Sequence, residues 1–355
     1  MTHSGPAAER TDRFAYDPPV VRHGAGAVGG LGAELERHGL SGALVVCGRS
    51  VGANPETMDP VRDGLGDRLV DVFAETTPEK RLSTAVAAAE RLRSSAADCI
   101  VGLGGGSSLD VATLASLVAG ACWGLGARSP EELADELVET GSITVPGGPL
   151  PPVLTVPTTL AGAALSGSAG VTVHPDGGLI DPADVDGSAD RADAAESADA
   201  ADSAEAADGG VSHPALAPLA TVSDPAVVAT TPPTVLRGSA TNGLDKAVET
   251  LYARTATPVT DATAERALAC FREGVPALAA ATGDAPEDAE DVAPVVEGAL
   301  LAQYGVVRAD GSTLSVLHAF GHGLSRTSPL QQGVAHAVIA PHALAALFDE
   351  VDGRR

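Results

Sequence analysis

Asp98-Cys-Ile-Val-Gly-Leu-Gly-Gly-Gly-Ser-Ser-Leu-Asp110 is the stretch around which the rest of the chain can be placed. Residues 99–103 form an apolar run of strand length, and residues 111–118 read as a helix rich in Ala and Leu. Gly104, Gly105, Gly106, Ser107 and Ser108 lie between them. Glycines lack the Cβ that keeps a backbone away from a ligand. The helix that follows turns its free N–H groups and positive dipole end toward the loop, which makes an anion site. The pattern therefore fits a pyrophosphate cradle, and equally a tight strand-to-helix connection without a ligand. It is not a GxGxxG fingerprint, and no P-loop lysine follows.

Working outward, strands are expected at the edge segment within 18–30, at 43–47, at 69–73 and at 150–156, with helices over 28–38, 55–69 and 83–95. Alternation at this spacing predicts a parallel sheet with helices on both faces, a Rossmann-like α/β arrangement. After Thr231-Pro-Pro233 the periodicity is helical, with helices expected over 235–254, 259–281, 292–308, 315–325 and 332–348. The predicted organisation is a loose tail over 1–13, a dinucleotide-binding α/β domain over 14–225 and an all-α domain over 226–355. Residues 181–210 break the first domain. They hold ten acidic residues against one arginine, a composition too poor in apolar surface to repay ordering, so a disordered acidic insertion is expected.

Composition narrows the function classes. The chain of 355 residues carries 47 acidic and 22 basic residues, for a net charge of −25, which argues against nucleic acid or an anionic membrane as partner. Only two of the basic residues are lysines, Lys80 and Lys246. Acidity with few lysines and few aromatics has the look of a protein from a high-salt cytoplasm, where ions screen self-repulsion. No apolar run is long enough to span a bilayer, and residues 1–10 lack a signal peptide's apolar core. Cys47, Cys99, Cys122 and Cys270 are far apart, as expected of buried free thiols in a cytoplasmic protein.

Four stretches, in order, resemble one superfamily. They are GGGSSLD at 104–110, Val156-Pro-Thr-Thr159, Thr231-Pro-Pro233 through Glu249, and His318-Ala-Phe-Gly-His322 with Gln332-Gly333 and Pro341-His342. Together they resemble the iron-containing (group III) alcohol dehydrogenases, and 246–253 with 335–338 lean toward the maleylacetate reductase branch. The resemblance implies a cleft between a nucleotide domain and a helical domain, where NAD or NADP exchanges hydride with a small alcohol or carbonyl substrate. It implies Gly104, Gly105, Gly106, Ser107 and Asp110 on the pyrophosphate side, with Thr158 and Thr159 nearer the nicotinamide. Arg49 is expected at the adenosine ribose, where an arginine suits a 2′-phosphate; an ordinary surface arginine is the competing reading. A homodimer is compatible with the family.

The chain departs from the family at the metal. The family's ligand positions fall on Asn242, Lys246, His318 and Gln332, and only His318 is a strong donor for Fe²⁺ or Zn²⁺. No catalytic metal is therefore expected. Lys246 is expected to take over its electrostatic role, with His318 and His322 available for proton transfer. The family's lysine three residues after Asp110 is replaced by Thr113, and the sequence stops 13 residues after His342, so a shortened helical domain is expected. A degenerate, non-catalytic nucleotide-binding protein of the same fold remains the alternative to an active reductase.

Overall fold

The computed structural model describes residues 18–124, 127–179, 206–280, 288–307, 312–327 and 332–350. Along the first half run β1 (Val20–His23), α1 (Leu31–Arg37), β2 (Ala43–Gly48), α2 (Arg49–Ala53), α3 (Pro55–Leu65), β3 (Leu69–Thr76) and α4 (Leu82–Ser94). Next come β4 (Cys99–Gly104), α5 (Gly106–Trp123), α6 (Pro130–Thr140), β5 (Val153–Pro157), β6 (Ser168–Val173), β7 (Ala207–Ser212) and β8 (Ala220–Ser223). The rest is helical: α7 (Pro225–Ala229), α8 (Pro233–Tyr252), α9 (Pro258–Ala280), α10 (Ala289–Val306), α11 (Val316–Thr327) and α12 (Gln332–Glu350).

Six strands form one parallel sheet in the order β1-β8-β5-β4-β2-β3. β2 shows why it is buried on both faces. Leu44 and Val46 join a core with α4 and α5, while Val45 and Cys47 join another with α1 and α3. That is the period-2 alternation of a strand covered by helices on each side. From β2 the chain steps outward to β3, then returns to β4 and continues the other way through β5. The order reverses between β2 and β4, and the crevice outside their carboxyl ends is where open α/β sheets bind ligands. Gly48 and Gly104 end the two strands there.

The helical region packs tightly because its contacts are small. Ala240, Ala247, Ala264, Ala267 and Ala299 line the α8–α9–α10 core around Phe271. A Cβ on Gly243 would stand 2.8 Å from the Leu160 carbonyl oxygen, so this glycine lets α8 lie directly on the loop after β5.

Three expectations need correction. The helix after β4 begins at Gly106 rather than near 111, so Gly106, Ser107 and Ser108 form its first turn. Ala207–Ser212 is a strand, antiparallel to β6, so the acidic insertion does not reach residue 210. Composition misled there because Gly and Ala carry no strand signal of their own. Gly209 is required by packing, since a Cβ would come within 2.5 Å of the Gly141 carbonyl oxygen. Most of the stretch read as disordered, 181–205, lies outside the described residues, as do the tail over 1–13 and residues 351–355. Finally, α6 was not anticipated, although Ser129 and Glu132 form a reciprocal capping box at its start.

Candidate active site

The turn between β4 and α5 is made of bare backbone. β4 ends at Gly104 with φ of 140°, a conformation that favours glycine, and only Gly105 separates it from the start of α5. A Cβ on Gly105 would press to 3.2 Å from Thr159 Cγ2, so the cradle is narrow as well as bare. Thr158, buried, donates its N–H to the Gly104 carbonyl at 3.0 Å. The Pro-Thr-Thr segment and the glycine turn are thus fixed to each other side by side. Ser107 reaches back to the Pro78 carbonyl, and Ser108 bonds Thr76 at 2.6 Å.

Asp110 sits one turn further along α5, buried. Its Oδ2 accepts from Lys80 Nζ at 2.6 Å and from the Gly170 N–H at 3.2 Å. Burial lifts its carboxyl above the ordinary range despite the two lysines near it. Asp110 therefore braces the cradle against the β6–β7 hairpin. Lys80 has a φ of 55°, the only positive value outside glycine among the described residues. Sequence reading did not assign it, and its rarity in this chain was the available signal. Arg49 opens α2 at the carboxyl end of β2, exposed, on the same edge of the sheet as Gly104.

The loop leaving Thr159 carries the chain to the second half of the site. Leu160 N–H donates to Ser239 on α8, and Thr231 donates to the Thr158 carbonyl. Lys246 Nζ donates to the carbonyls of Ala161 at 2.8 Å and Gly162 at 3.2 Å. Burial pulls this ammonium down to about 8, against the upward pull of Asp110 and Glu249.

One turn further along α8 is Glu249, fully buried. Its Oε2 accepts from His318 Nδ1 at 2.6 Å, and its Oε1 accepts the Leu317 N–H at 2.7 Å. Burial works to raise the Glu249 carboxyl, but these bonds hold it below the usual range. Burial also lowers His318, with Lys246 and His336 adding and Glu249 opposing, so its imidazole is neutral near pH 7. A carboxylate only accepts, so the His318 proton is on Nδ1 and Nε2 is a bare acceptor. The arrangement is repeated alongside, where His336 Nδ1 donates to Asp245 at 2.9 Å. The two rings meet edge to face, their centroids 4.7 Å apart. His318 Nε2, His336 Nε2 and Asn242 Oδ1 are all buried without a hydrogen-bond partner among the described residues.

Most of the anticipated residues are thus gathered along one path, from Gly104 through Thr158 and Thr159 to Lys246 and His318. Arg49 stands apart at the sheet edge. His322 lies on α11 with its side chain outside the described positions, and Gln332 opens α12. The Asp245–His336 pair was missed. Asp245 is out of step with the family's ligand spacing, and nothing in the local sequence announces a partner 91 residues away.

Residues 18–182 match the family model described as iron-containing alcohol dehydrogenase. The chain is 26% identical over 335 residues to an NAD-dependent methanol dehydrogenase of Bacillus methanolicus, covering 93% of this chain and 74% of that one. It is 24% identical over 333 residues to maleylacetate reductase 1 of Cupriavidus pinatubonensis, with 93% of this chain and 73% of that one covered. Among solved structures, the sulfoacetaldehyde reductase of Bifidobacterium kashiwanohense in complex with NAD⁺ superposes with a TM-score of 0.71. The identity is 18%, over 95% of this chain and 77% of that one. Among the described residues, no helix is long and apolar enough to cross a membrane.

Proposed function

For a chain that belongs to the iron-containing alcohol dehydrogenase superfamily, we propose hydride transfer between NAD or NADP and a small alcohol or carbonyl substrate. The observation that carries this reading is the single loop over 157–162. It is bonded to the glycine cradle at one end and to Lys246 at the other. The free N–H groups of the first turn of α5 receive the pyrophosphate. Thr158 and Thr159 lead toward the nicotinamide, and Arg49 meets the adenosine ribose or its phosphate. Asp110 acts on the cofactor through the geometry of α5.

The nicotinamide supplies the hydride. The protein's share is charge and proton. In the oxidative direction the alcohol proton passes to His318 Nε2 as hydride leaves carbon. In reduction the same proton returns to the oxygen. Glu249 holds the His318 ring and tautomer for both directions. Lys246 spends two N–H bonds on carbonyls and keeps one, which stabilises the alkoxide. His322, one turn along α11, is assigned to the same proton path.

At the family's four metal positions stand an amide, an ammonium already bonded to two carbonyls, one imidazole and a second amide. A cation among the four positions and a single strong donor there do not fit a divalent ion. One observation favours the rival reading of a silent nucleotide-binding protein: Lys246 is already committed to bracing the loop. Cofactor fluorescence with a carbonyl panel in molar salt separates the readings. Binding with turnover is expected, binding without turnover supports the rival, and absence of binding defeats both.

A further inference from the structure

Lys80 is one of two lysines in a chain of 355 residues, and its surroundings are shaped to hold it. Its φ of 55° is one that residues with a side chain rarely adopt. The neighbouring backbone keeps it there. The Lys80 carbonyl accepts the Thr172 N–H at 3.1 Å, the Glu79 carbonyl accepts the Thr172 hydroxyl, and Arg81 pairs with Asp176. The loop between β3 and α4 is thereby laced to β6 and to the turn after it, on both sides of Lys80. The side chain has a matching recess. A Cβ on Gly170 would stand 3.2 Å from Lys80 Nζ and 3.6 Å from Asp110 Oδ2, so this glycine leaves the ammonium and its carboxylate their room.

The recess lies beside the glycine turn. Asp110 follows Gly106 by four residues and Ser107 by three, which puts the three on one face of α5. The Pro78 carbonyl accepts the Ser107 hydroxyl at 3.4 Å, so the Lys80 loop touches the first turn of that helix directly. Asp110 takes one of the three ammonium donors, and the lysine side chain is still 34% exposed. Charge gives the remaining donors a use. Gly104, Gly105, Gly106, Ser107, Thr158 and Thr159 carry no charge, the chain as a whole carries −25, and Asp110 alone would repel a phosphate at this turn. Lys80 cancels that carboxylate and turns donors outward. We propose that Lys80 is a cofactor-binding residue whose ammonium, held by Asp110, meets the pyrophosphate beside the first turn of α5. This role rests on the dinucleotide reading of the cradle and adds a cation that the backbone lacks. It also divides the two lysines between the ends of the cleft, Lys80 for phosphate and Lys246 for substrate.

Acetylation of the full chain by an amine-reactive ester, read by peptide mass spectrometry, is the first test. With only two lysines in the sequence, Lys80 and Lys246 report separately. Saturating NADH or NADPH, whichever binds by fluorescence, should abolish acetylation of Lys80. Adenosine with nicotinamide riboside, which together lack the pyrophosphate, should leave it at the rate of the free protein. Dinucleotide affinity of two variants separates a ligand from a brace. Lys80→Met should weaken binding by about tenfold or more, the scale of one charge-assisted bond to phosphate. Asp110→Asn breaks the pair but keeps the ammonium, so its loss should be smaller. A loss in Asp110→Asn as large as in Lys80→Met would make the pair a brace only, and parent-like binding by Lys80→Met also overturns the proposal. So does a parent that binds dinucleotide while Lys80 acetylates at its free rate, a result that needs no variant to fold and leaves the cradle standing. A parent that binds neither NADH nor NADPH defeats the dinucleotide reading and this one with it.

Discussion

The two ends of the proposed cleft are built from different materials. At the β4–α5 end the working groups belong to the backbone, and the side chains are absent or small: Gly104, Gly105, Gly106 and Ser107. At the α8–α11–α12 end the working groups are charged or titratable side chains in matched buried pairs, His318 with Glu249 and His336 with Asp245. A backbone site needs space, and it fails when something fills that space. A side-chain site needs partners, and it fails when one partner is removed and leaves the other buried and unpaired. The first kind of damage should abolish binding of the nucleotide; the second should leave binding and remove chemistry or stability.

The largest effect is expected from Gly105→Val. Thr159 already limits the space at the first carbon of any side chain, and the branches of valine would enter the room left for phosphate. Loss of dinucleotide affinity by roughly a hundredfold or more is expected, read by nicotinamide fluorescence on protein verified as folded. A folded variant with unchanged affinity would show that the cradle is only a connection between a strand and a helix.

Lys246→Met tests the other end. Its kcat should drop by about a hundredfold, the usual scale for one lost oxyanion donor, while cofactor affinity stays. The sign with pH is fixed by the ammonium, which burial brings down to about 8. Carbonyl reduction that uses the charged form should decline as pH rises through that value, and the variant should lose this limb. Because the lysine supplies the charge, exhaustive chelation should leave turnover of the parent unchanged. Activity lost with chelator and restored with Fe²⁺ or Zn²⁺ would return the site to metal chemistry.

These two ends also differed in how far the sequence revealed them. GGGSSLD is legible as a strand-to-helix turn because a strand end and bare glycines are local properties, although the helix starts five residues earlier than expected, at Gly106. A parallel sheet covered on both faces followed from alternation along the chain, but its strand order and the strand β8 inserted between β1 and β5 did not. Nor did the β6–β7 hairpin, because its strands face each other across the acidic segment and β7 is mostly Gly and Ala. The imidazole–carboxylate pairs were hidden for a related reason. Glu249 and His318 are 69 residues apart, and Asp245 and His336 are 91 apart, so the pairing belongs to helix packing rather than to local spacing. Lys246 was legible as an unusual residue, but not the two carbonyls to which it is bonded.

A global effect, on stability rather than on binding or turnover, is expected at Glu249. Glu249→Ala leaves His318 Nδ1 and the Leu317 N–H without their acceptor in a buried place, at a cost of about 3–5 kcal/mol in unfolding free energy. The acid side of the parent's stability curve follows from the same pair. His318 is held below its ordinary value of 6.5, so the unfolded chain takes up its proton first as pH falls. Its contribution is full above that value and declines below it, and that of Glu249, also lowered, is lost further down in the carboxylate range. Urea midpoints at fixed salt should therefore decrease from neutral pH into acid. In His318→Gln the upper part of that slope should flatten, and a slope unchanged by that substitution would place the titration elsewhere.

The smallest effect is expected from the most conspicuous stretch of sequence. Residues 181–205 carry nine acidic residues and one arginine, and β7 begins only at Ala207. Replacing 181–205 by a short Gly/Ser linker keeps every pair of the β6–β7 ladder, from Ser168 with Ser212 to Val173 with Ala207. A linker half as long changes loop-closure entropy by only about 0.6 kcal/mol. It also removes net charge of −8, which should ease self-repulsion and lower the salt needed for folding. Cofactor affinity and the urea midpoint in molar salt should stay within error of the parent. Extending the replacement through residue 210 deletes most of β7 and the backbone bond from Gly210 N–H to the Gly141 carbonyl, and should cost cooperative folding. If the shorter replacement were as damaging as the longer, the acidic segment would be part of the structure that supports the cradle, and the boundary between the two regions would have to be redrawn.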